Sequence, residues 1–459
     1  MKDDKSDDHL EKDAFRKVLD WCGGGDLNPY ALRRKHLKLV RLPISPPPRL
    51  TLHLQVPERA VSNPKGSIAS RNRFCMYLLG HGFTARGDAA EIMRRKAMYT
   101  RLRLSALAVM LGIGCLSVAA VGQDTATASK GTHKWAVVLH GGAGVIDRRS
   151  MSAEMDAAYR AALKRSLQAA AEVLEKGGSS MDAVEAAIKL MEDDPLFNAG
   201  KGAVFTADGR NELDAAMMDG ATMKAGAVAG VTRTRHPISL ARAVMEKSPH
   251  VMLIGAGADQ FAASVGLEQV DPSYFFTERR WQGLIRQLKK EGLPLPQKPQ
   301  GAPAAPKGGM AEIEPPDAHK YGTVGVVALD RNGNLAAGTS TGGTQAKRWG
   351  RVGDSPIIGA GTYASNQSCA VSATGTGEYF IRLTVARTIC ARVQYQGMKL
   401  QDAADEVVQK ELKAMQGDGG VIAIAPDGQM AWSFNTSGMY RGRVEEGKTI
   451  EVRIYADER

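Results

Sequence analysis

The chain has 459 residues with 43% hydrophobic and 24% charged side chains, which excludes wholesale disorder, collagen and coiled coil. Its net charge of +11 lies almost entirely in residues 1–103, where 21 Lys or Arg face 11 Asp or Glu; residues 104–459 hold 39 against 38. A phosphate-binding surface needs basic residues clustered on the folded part, so no nucleic-acid partner is expected.

In chain order, the first pattern is an address. Arg94, Arg95, Lys96, Arg101 and Arg103 precede an apolar run from Leu104 to Val121, and Ala120 and Gly122 are small residues before Gln123. This is the three-part pattern of a secretory signal peptide, predicted over about 93–122, with export to the periplasm and no stable membrane anchor. The run holds two glycines and two serines and is short for a span, so a retained anchor is the alternative reading. Met93 or Met98 is the expected start. Residues 1–92, with Arg clusters and PPP at 46–48, are then a non-native upstream extension or a disordered one. Beyond the signal only Cys369 and Cys390 remain. They fit no CxxC or Cys/His zinc spacing and are expected as buried free thiols, with a bridge between them, in an exported protein, as the alternative reading.

WAVVL (135–139) reads as a buried strand stopped by HGGAG (140–144). Helical patterns follow at about 151–177 and 180–193, with Ser180 able to cap the second. Short apolar runs at 203–206, 214–218 and 225–232 read as strands, and 238–247 and 278–291 as helices. From Leu293 to Gly322 the composition turns to Pro, Gly and Ala, which predicts a mobile linker. TVGVVALD (323–330) and LAAGTST (335–341) then form a hairpin over RNGN. AVSATG (370–375) is a strand that leads into helices from Glu378 to Tyr395 and over 400–415. GVIAIA and QMAWSFN make a second hairpin over the DG at 427–428. Strands and helices are mixed on both sides of the linker, so one layered α+β domain interrupted by a loop is expected, not two independent domains.

There is no HExxH. IGAGAD (254–259) resembles the start of a dinucleotide fingerprint but lacks the third glycine and the βαβ context. Thr323 stands out, at the junction between a Gly-ended linker and a buried-type strand. A hydroxyl is a weak nucleophile without a base. Breaking the Gly322–Thr323 bond gives Thr323 a free α-amine of pKa ~7.7–8.0 within a few bonds of its own hydroxyl, so one residue supplies nucleophile and base. On position alone, the ordinary β-branched strand residue is the favoured reading of Thr323.

The surrounding motifs decide between these readings. KYGTVGVVALD, GTSTGG (338–343), GRVGDSPIIGAGTYA (350–364) and ATGTGE (373–378) resemble the plant-type L-asparaginase / isoaspartyl peptidase family of N-terminal-nucleophile hydrolases. So do HGGAG, NAGKGAVFT (198–206), ELDAAMMDG (212–220) and KAGAVAGV (224–231). The resemblance spans about residues 134–455. It implies a four-layer αββα sandwich made as a precursor that cleaves itself at Gly322–Thr323. A large subunit (123–322) and a small one (323–459) result, assembled as a dimer of heterodimers. The implied substrates are L-asparagine and β-aspartyl dipeptides, with no cofactor needed for catalysis.

The resemblance also assigns roles. Thr323 matches the nucleophile and Thr341 the threonine that supports it; Thr374 and Gly375 match the oxyanion hole. Arg351 matches the fork that clamps the substrate α-carboxylate, Asp354 the holder of its α-ammonium, and Gly377 a backbone contact to the same group. Asn198 matches the asparagine bordering the nucleophile. MEDDPLFNAGK (191–201) resembles a sodium-binding loop, implying a structural ion on the backbone oxygens of Met191, Glu192, Asp194, Phe197, Ala199 and Lys201. The approach to the nucleophile, Lys320-Tyr321-Gly322, departs from the His/Asp-type residues of many members. Two rivals stand beside this reading: an N4-glycosylasparaginase, for which TGDGD in place of TGTGE would be expected, and a non-catalytic exported binding protein of the same fold.

Overall fold

The structure, a computed structural model of the whole chain, describes residues 133–303 and 322–458. The expected signal peptide, the segment before it and linker residues 304–321 lie outside the described residues.

Among the described residues, four strands precede the linker: β1 (Ala136–Gly144), β2 (Leu213–Asp219), β3 (Ala225–Val231) and β4 (Met252–Ile254). Eight follow it: β5 (Val324–Leu329), β6 (Leu335–Thr341), β7 (Thr362–Ala364), β8 (Ala370–Gly375), β9 (Gly419–Ile424), β10 (Met430–Phe434), β11 (Gly438–Glu445) and β12 (Glu451–Tyr455). They build an eight-stranded sheet in the order β12-β11-β1-β5-β6-β2-β3-β4 and a four-stranded sheet in the order β10-β9-β8-β7. Strands from both sides of the linker alternate in the larger sheet, so neither side makes a closed sheet alone. All its pairings are antiparallel except β3 with β4.

Side-chain alternation explains the stacking. On β1, Val137 and Leu139 join Leu163, Leu167 and Ile188 in one core, while Ala136 and Val138 join Val371 and Ile422 in another. The first core lies under α1 (Ala153–Glu175), α2 (Ser180–Asp193) and α3 (Pro237–Lys247), with α4 (Gly255–Ser264) near the β4 edge. α5 (Glu278–Lys290) packs separately, with Trp281, Leu284 and Leu288 against Phe205 and Phe276. The second core lies between the sheets and continues under α6 (Gly377–Leu383), α7 (Val385–Gln396) and α8 (Leu400–Asp405). The layers are helix, sheet, sheet, helix, the αββα sandwich. Each fully buried Val or Leu on these strands contributes about 1.5–3 kcal/mol. β5 is buried on both faces at all six positions, which is why it reads as a near-continuous apolar run.

Several expected elements differ. β1 does not stop at HGGAG but runs through it over a bulge between His140 and Gly142. Residues 203–206 make only an isolated bridge, Thr206 to Lys347, because Phe205 packs into the α5 core and Asn211 Nδ2 takes the Ala203 and Val204 carbonyls. The cap of α2 is Ser179, in a capping box with Asp182, not Ser180. IGAGAD forms β4's last residue and α4, and the helix from Glu378 is broken at Thr384, which sits at φ +46. The start of the linker is docked: Leu293 and Ala302 pack on the α5 core, and Lys298 Nζ lies 2.9 Å from Glu278. The free-thiol expectation is overturned. Cys369, just before β8, and Cys390, on α7, form a fully buried disulfide with Cα atoms 5.3 Å apart.

Candidate functional site

Thr323 is the first residue before the central strand β5 and is nearly buried, at 7% exposure. Its Oγ1 lies 2.8 Å from the Gly322 carbonyl oxygen and 3.1 Å from Thr341 Oγ1. Thr341 ends β6, the neighbour of β5, and its hydroxyl also reaches the Gly322 oxygen at 3.1 Å. The Gly343 N–H donates to Thr341 Oγ1 at 2.9 Å. Asn198, from the part of the chain before the linker, closes the cluster: Nδ2 donates to the Gly322 oxygen at 2.7 Å and to the Gly343 oxygen at 2.8 Å. Its Oδ1 accepts from Val204 N at 2.9 Å, so the amide orientation is fixed by three bonds. The Gly322 carbonyl is thus held by three side chains, a polarised arrangement for a carbonyl under attack.

The HGGAG segment wraps the same bond. A Cβ at Gly142 would lie 3.1 Å from Gly322 Cα and 3.4 Å from Thr323 N, and this residue stands at φ +113, so glycine is required on both counts. Ala143 N donates to Thr374 Oγ1 at 3.4 Å, which ties β1 to the end of β8. Thr374 is fully buried, and Gly375 follows with no room for a side chain: a Cβ would meet Asp418 O at 2.4 Å. Both precede α6, whose first residue is Gly377.

Arg351 and Asp354 do not pair with each other. Arg351 Nε and Nη2 reach Glu378 Oε1 and Oε2 at 2.9 and 3.0 Å, a two-point fork. Asp354 is buried at 4% exposure and its Oδ2 has no hydrogen-bond partner. Burial, opposed in part by Arg351, pushes its carboxyl up to about 7. The two side chains converge on Gly377: a Cβ there would lie 2.8 Å from Asp354 Oδ1 and 2.9 Å from Arg351 Nη2. They also meet the turn after Thr341, since a Cβ at Gly343 would lie 3.5 Å from Arg351 Nη1. The eight residues singled out for catalysis and binding, Thr323 among them, therefore form one contiguous set. Behind it sits Lys347, whose Nζ donates to the Glu212 carbonyl at 2.8 Å and lies 3.8 Å from buried Asp214.

Sequence reasoning missed one side chain at this centre. His140 is fully buried; its Nδ1 lies 3.0 Å from the Thr323 carbonyl oxygen and its Nε2 3.0 Å from Ser372 Oγ. The available signal was the histidine heading HGGAG, which reads as a motif residue without a role.

The loop 191–201 has the donors of a hard-cation site: neutral backbone oxygens, with no group of three His, Cys, Asp or Glu side chains among the described residues. Gly200 and Gly202 let the chain turn on these oxygens. A Cβ at Gly200 would lie 2.2 Å from Glu192 O, and one at Gly202 2.0 Å from Phe197 O. Asp194 O and Ala199 O accept from Phe197 N and Gly202 N within the turn. Met191 is buried in the last turn of α2, and Lys201 Nζ lies over the Tyr274 ring at 5.4 Å. The Glu192 side chain is committed to Ser340 Oγ at 2.7 Å, Ile238 N at 3.0 Å and His236 Nδ1 at 3.2 Å, which anchors the loop to β6 and α3. The residues present fit a sodium ion held by backbone.

The profile of the family described as asparaginase matches residues 133–454. An isoaspartyl peptidase of Escherichia coli strain K12 is 49% identical over 324 residues, covering 71% of this chain and 97% of that one. A probable isoaspartyl peptidase/L-asparaginase 2 of Arabidopsis thaliana is 41% identical over 327 residues, covering 70% of this chain and 99% of its own. A plant-type L-asparaginase of Pyrococcus furiosus is 40% identical over 315 residues, covering 68% of this chain and 97% of its own.

Proposed function

The chain belongs to the asparaginase family, and from that premise we propose that it is an isoaspartyl peptidase and L-asparaginase made as a self-cleaving precursor. In maturation, Thr323 Oγ1 adds to the Gly322 carbonyl carbon. The C–N bond of the Gly322–Thr323 peptide breaks, and the hydroxyl proton ends on the departing nitrogen. Water then hydrolyses the Gly322 ester, leaving a carboxylate on Gly322 and a free amine and hydroxyl on Thr323. The observation that carries this reading is the position of Thr323 Oγ1, 2.8 Å from the Gly322 oxygen inside the cage made by Asn198 and Thr341.

In turnover the new amine takes the Thr323 hydroxyl proton while Oγ1 attacks the side-chain carbonyl of asparagine or of a β-aspartyl dipeptide. Thr374 and Gly375 receive the developing oxyanion. The leaving amine departs with the proton, an aspartyl ester remains on Thr323, and water resolves it to aspartate. Arg351 takes the α-carboxylate, and Asp354 with the Gly377 backbone takes the α-ammonium. The unpartnered, buried Asp354 Oδ2 supports this selection, because a buried carboxylate oxygen without a donor is costly until a cation fills the place.

In the same proposal the 191–201 loop holds a structural sodium ion, and two cleaved chains pair as a dimer of heterodimers. The loop's donor set supports the first, and exchanging sodium for choline chloride should lower the melting temperature. The second rests on the family resemblance; light scattering of the cleaved protein decides it. Export through a signal peptide at about 93–122 is supported by the buried Cys369–Cys390 disulfide, since such bonds persist in oxidising compartments. No described helix is long and apolar enough to cross a membrane.

The primary experiment compares wild type and Thr323→Ala on denaturing gels, with N-terminal sequencing of the smaller fragment. The expected fragment begins Thr323-Val324-Gly325; an intact wild-type band after long incubation defeats the proposal. Rates on asparagine, β-aspartyl-leucine and glycosyl-asparagine then separate it from a glycosylasparaginase.

A further inference from the structure

The hydrogen bonds around His140 extend beyond the site, and the two at the imidazole have one direction. Thr323 O is a carbonyl and can only accept, so His140 Nδ1 carries the ring proton at 3.0 Å. Burial pushes the imidazole down to about 3, so the ring is neutral and Nε2 is an acceptor. The Ser372 hydroxyl must then donate to Nε2 at 3.0 Å. Its proton committed, Ser372 Oγ accepts from Thr339 Oγ1 at 2.7 Å. Thr339 Oγ1 in turn lies 2.6 Å from Thr362 Oγ1, and the two hydroxyls also reach the Gly361 and Ser355 carbonyl oxygens at 3.2 and 3.0 Å. All four side chains are fully buried. The chain of hydrogen bonds runs from β7 through β6 and β8 to β1, crosses between the two sheets, and ends on the carbonyl of the nucleophile.

A glycine makes room for it. A Cβ at Gly325, two residues after Thr323, would lie 1.9 Å from Ser372 Oγ and 2.4 Å from His140 Nε2. The TVG at the start of β5 thus places a bare Cα directly under the His140–Ser372 contact. Buried polar chains of this kind are costly unless each member is satisfied, and satisfied ones fix a single arrangement.

We propose that His140 is the positioning residue of the nucleophile, with the Ser372–Thr339–Thr362 hydroxyls locking its tautomer and ring. The inference rests on the proposed role of Thr323. Before cleavage, Thr323 is held on both sides by the chain. After cleavage it is a chain terminus, and the regular pairing of β5 with β6 begins only at Val324 with Ser340. Two side-chain contacts then fix its orientation: Thr341 on the hydroxyl and His140 on the carbonyl. Rotation of the terminal residue about its own backbone moves Oγ1 away from the attack position, and a misplacement of ~1 Å can cost ~100-fold in rate.

The test uses the full chain with His140→Leu, His140→Asn and Ser372→Ala, and measures precursor cleavage on gels, kcat and KM on β-aspartyl-leucine, and folding by circular dichroism. Asparagine can present its Nδ2 donor near the imidazole Nδ1 position; leucine cannot donate. The expected result is that Leu slows cleavage and lowers kcat 10- to 100-fold with KM within twofold, because the Arg351–Asp354 clamp is untouched. Asn restores most of both rates, and Ser372→Ala, which unlocks the ring without removing it, costs about three- to tenfold in kcat. Equal rates for folded Leu and wild type overturn the proposal. So does an Asn variant as slow as Leu, or a change confined to KM. Should the Leu variant not fold, Ser372→Ala alone decides: wild-type kcat there overturns it. A wild type that never cleaves removes the role of Thr323 itself, a different failure from a cleaving wild type with an indifferent His140.

Discussion

Asp354→Asn should make the protein more stable and nearly inactive. Asp354 is buried, its Oδ2 has no partner, and its carboxyl is raised from 3.8 to about 7 with burial as the main cause. An acid raised in the folded state contributes stability in its neutral form, present below the unfolded value and lost as pH rises through the folded one. The shift of about 3 units corresponds to a cost of about 4 kcal/mol at pH 8, falling to about 2 kcal/mol at pH 5. Asn has nearly the same shape and no charge, so it removes that cost. At ~2 °C per kcal/mol for a domain of this size, the melting temperature of the variant should exceed wild type by roughly 8 °C at pH 8 and by about half as much at pH 5. Turnover moves the other way: loss of the charge opposite the α-ammonium should lower kcat/KM on asparagine by about 100-fold or more. Wild-type kcat/KM should rise as pH passes through 7, because only the ionised Asp354 receives the ammonium. The assay is thermal unfolding at both pH values beside initial rates. If the variant gains no more stability at pH 8 than at pH 5, or keeps wild-type kcat/KM, the assigned burial cost and the assigned role are wrong together.

Thr341→Val keeps the β-branched shape on β6 and removes the hydroxyl 3.1 Å from both Thr323 Oγ1 and Gly322 O; cleavage and kcat should each fall about tenfold or more, read on gels and by ammonia release. Asn198→Leu removes the donors to Gly322 O and Gly343 O, and precursor cleavage should slow by about 100- to 1,000-fold while the fold persists by circular dichroism. Replacing both Cys369 and Cys390 by Ser opens a loop of sequence separation 21 and should cost about 3 kcal/mol in denaturant unfolding. A double variant as stable as wild type argues against the bond.

What the sequence disclosed and what it concealed follow from the range of the interactions. β5 was legible because six consecutive buried positions select β-branched and small residues; the extent of α2 was legible too, but its capping box was not, the cap lying one residue earlier at Ser179. The clamp was legible only through motifs, since nothing local to Arg351 says that its fork meets Glu378, 27 residues on. His140 was invisible for the same reason carried further: its partners are 183 and 232 residues away, and its local context reads as a strand end. The misread 203–206 strand and the docked 293–303 segment share a cause. Both follow from the α5 core, where Phe205 packs on Trp281 and Pro296 lies against Gly209, contacts that no window of sequence contains.

In the proposed mechanism Thr323 uses two different sets of donors, one for each of its two reactions. The Gly322 oxygen, the carbonyl consumed in maturation, is held by Asn198 and Thr341. Thr374 and Gly375, assigned to the substrate oxyanion, approach from β8 in the other sheet and are tied to β1 through Ala143. If a single donor set served both, the carboxylate left on Gly322 would remain bound where the next oxyanion must form, and the first product would inhibit every later turnover. With two sets, the cleaved end of the large subunit can stay beside Asn198 without occupying the Thr374–Gly375 place. The consequence is measurable in existing terms: Asn198→Leu should depress cleavage far more than the kcat of the fraction that has matured, whereas a variant at Gly375, where any side chain meets Asp418 O and Phe380, should depress kcat in protein that still cleaves. Equal losses of both rates in both variants would mean that the two reactions share one oxyanion site.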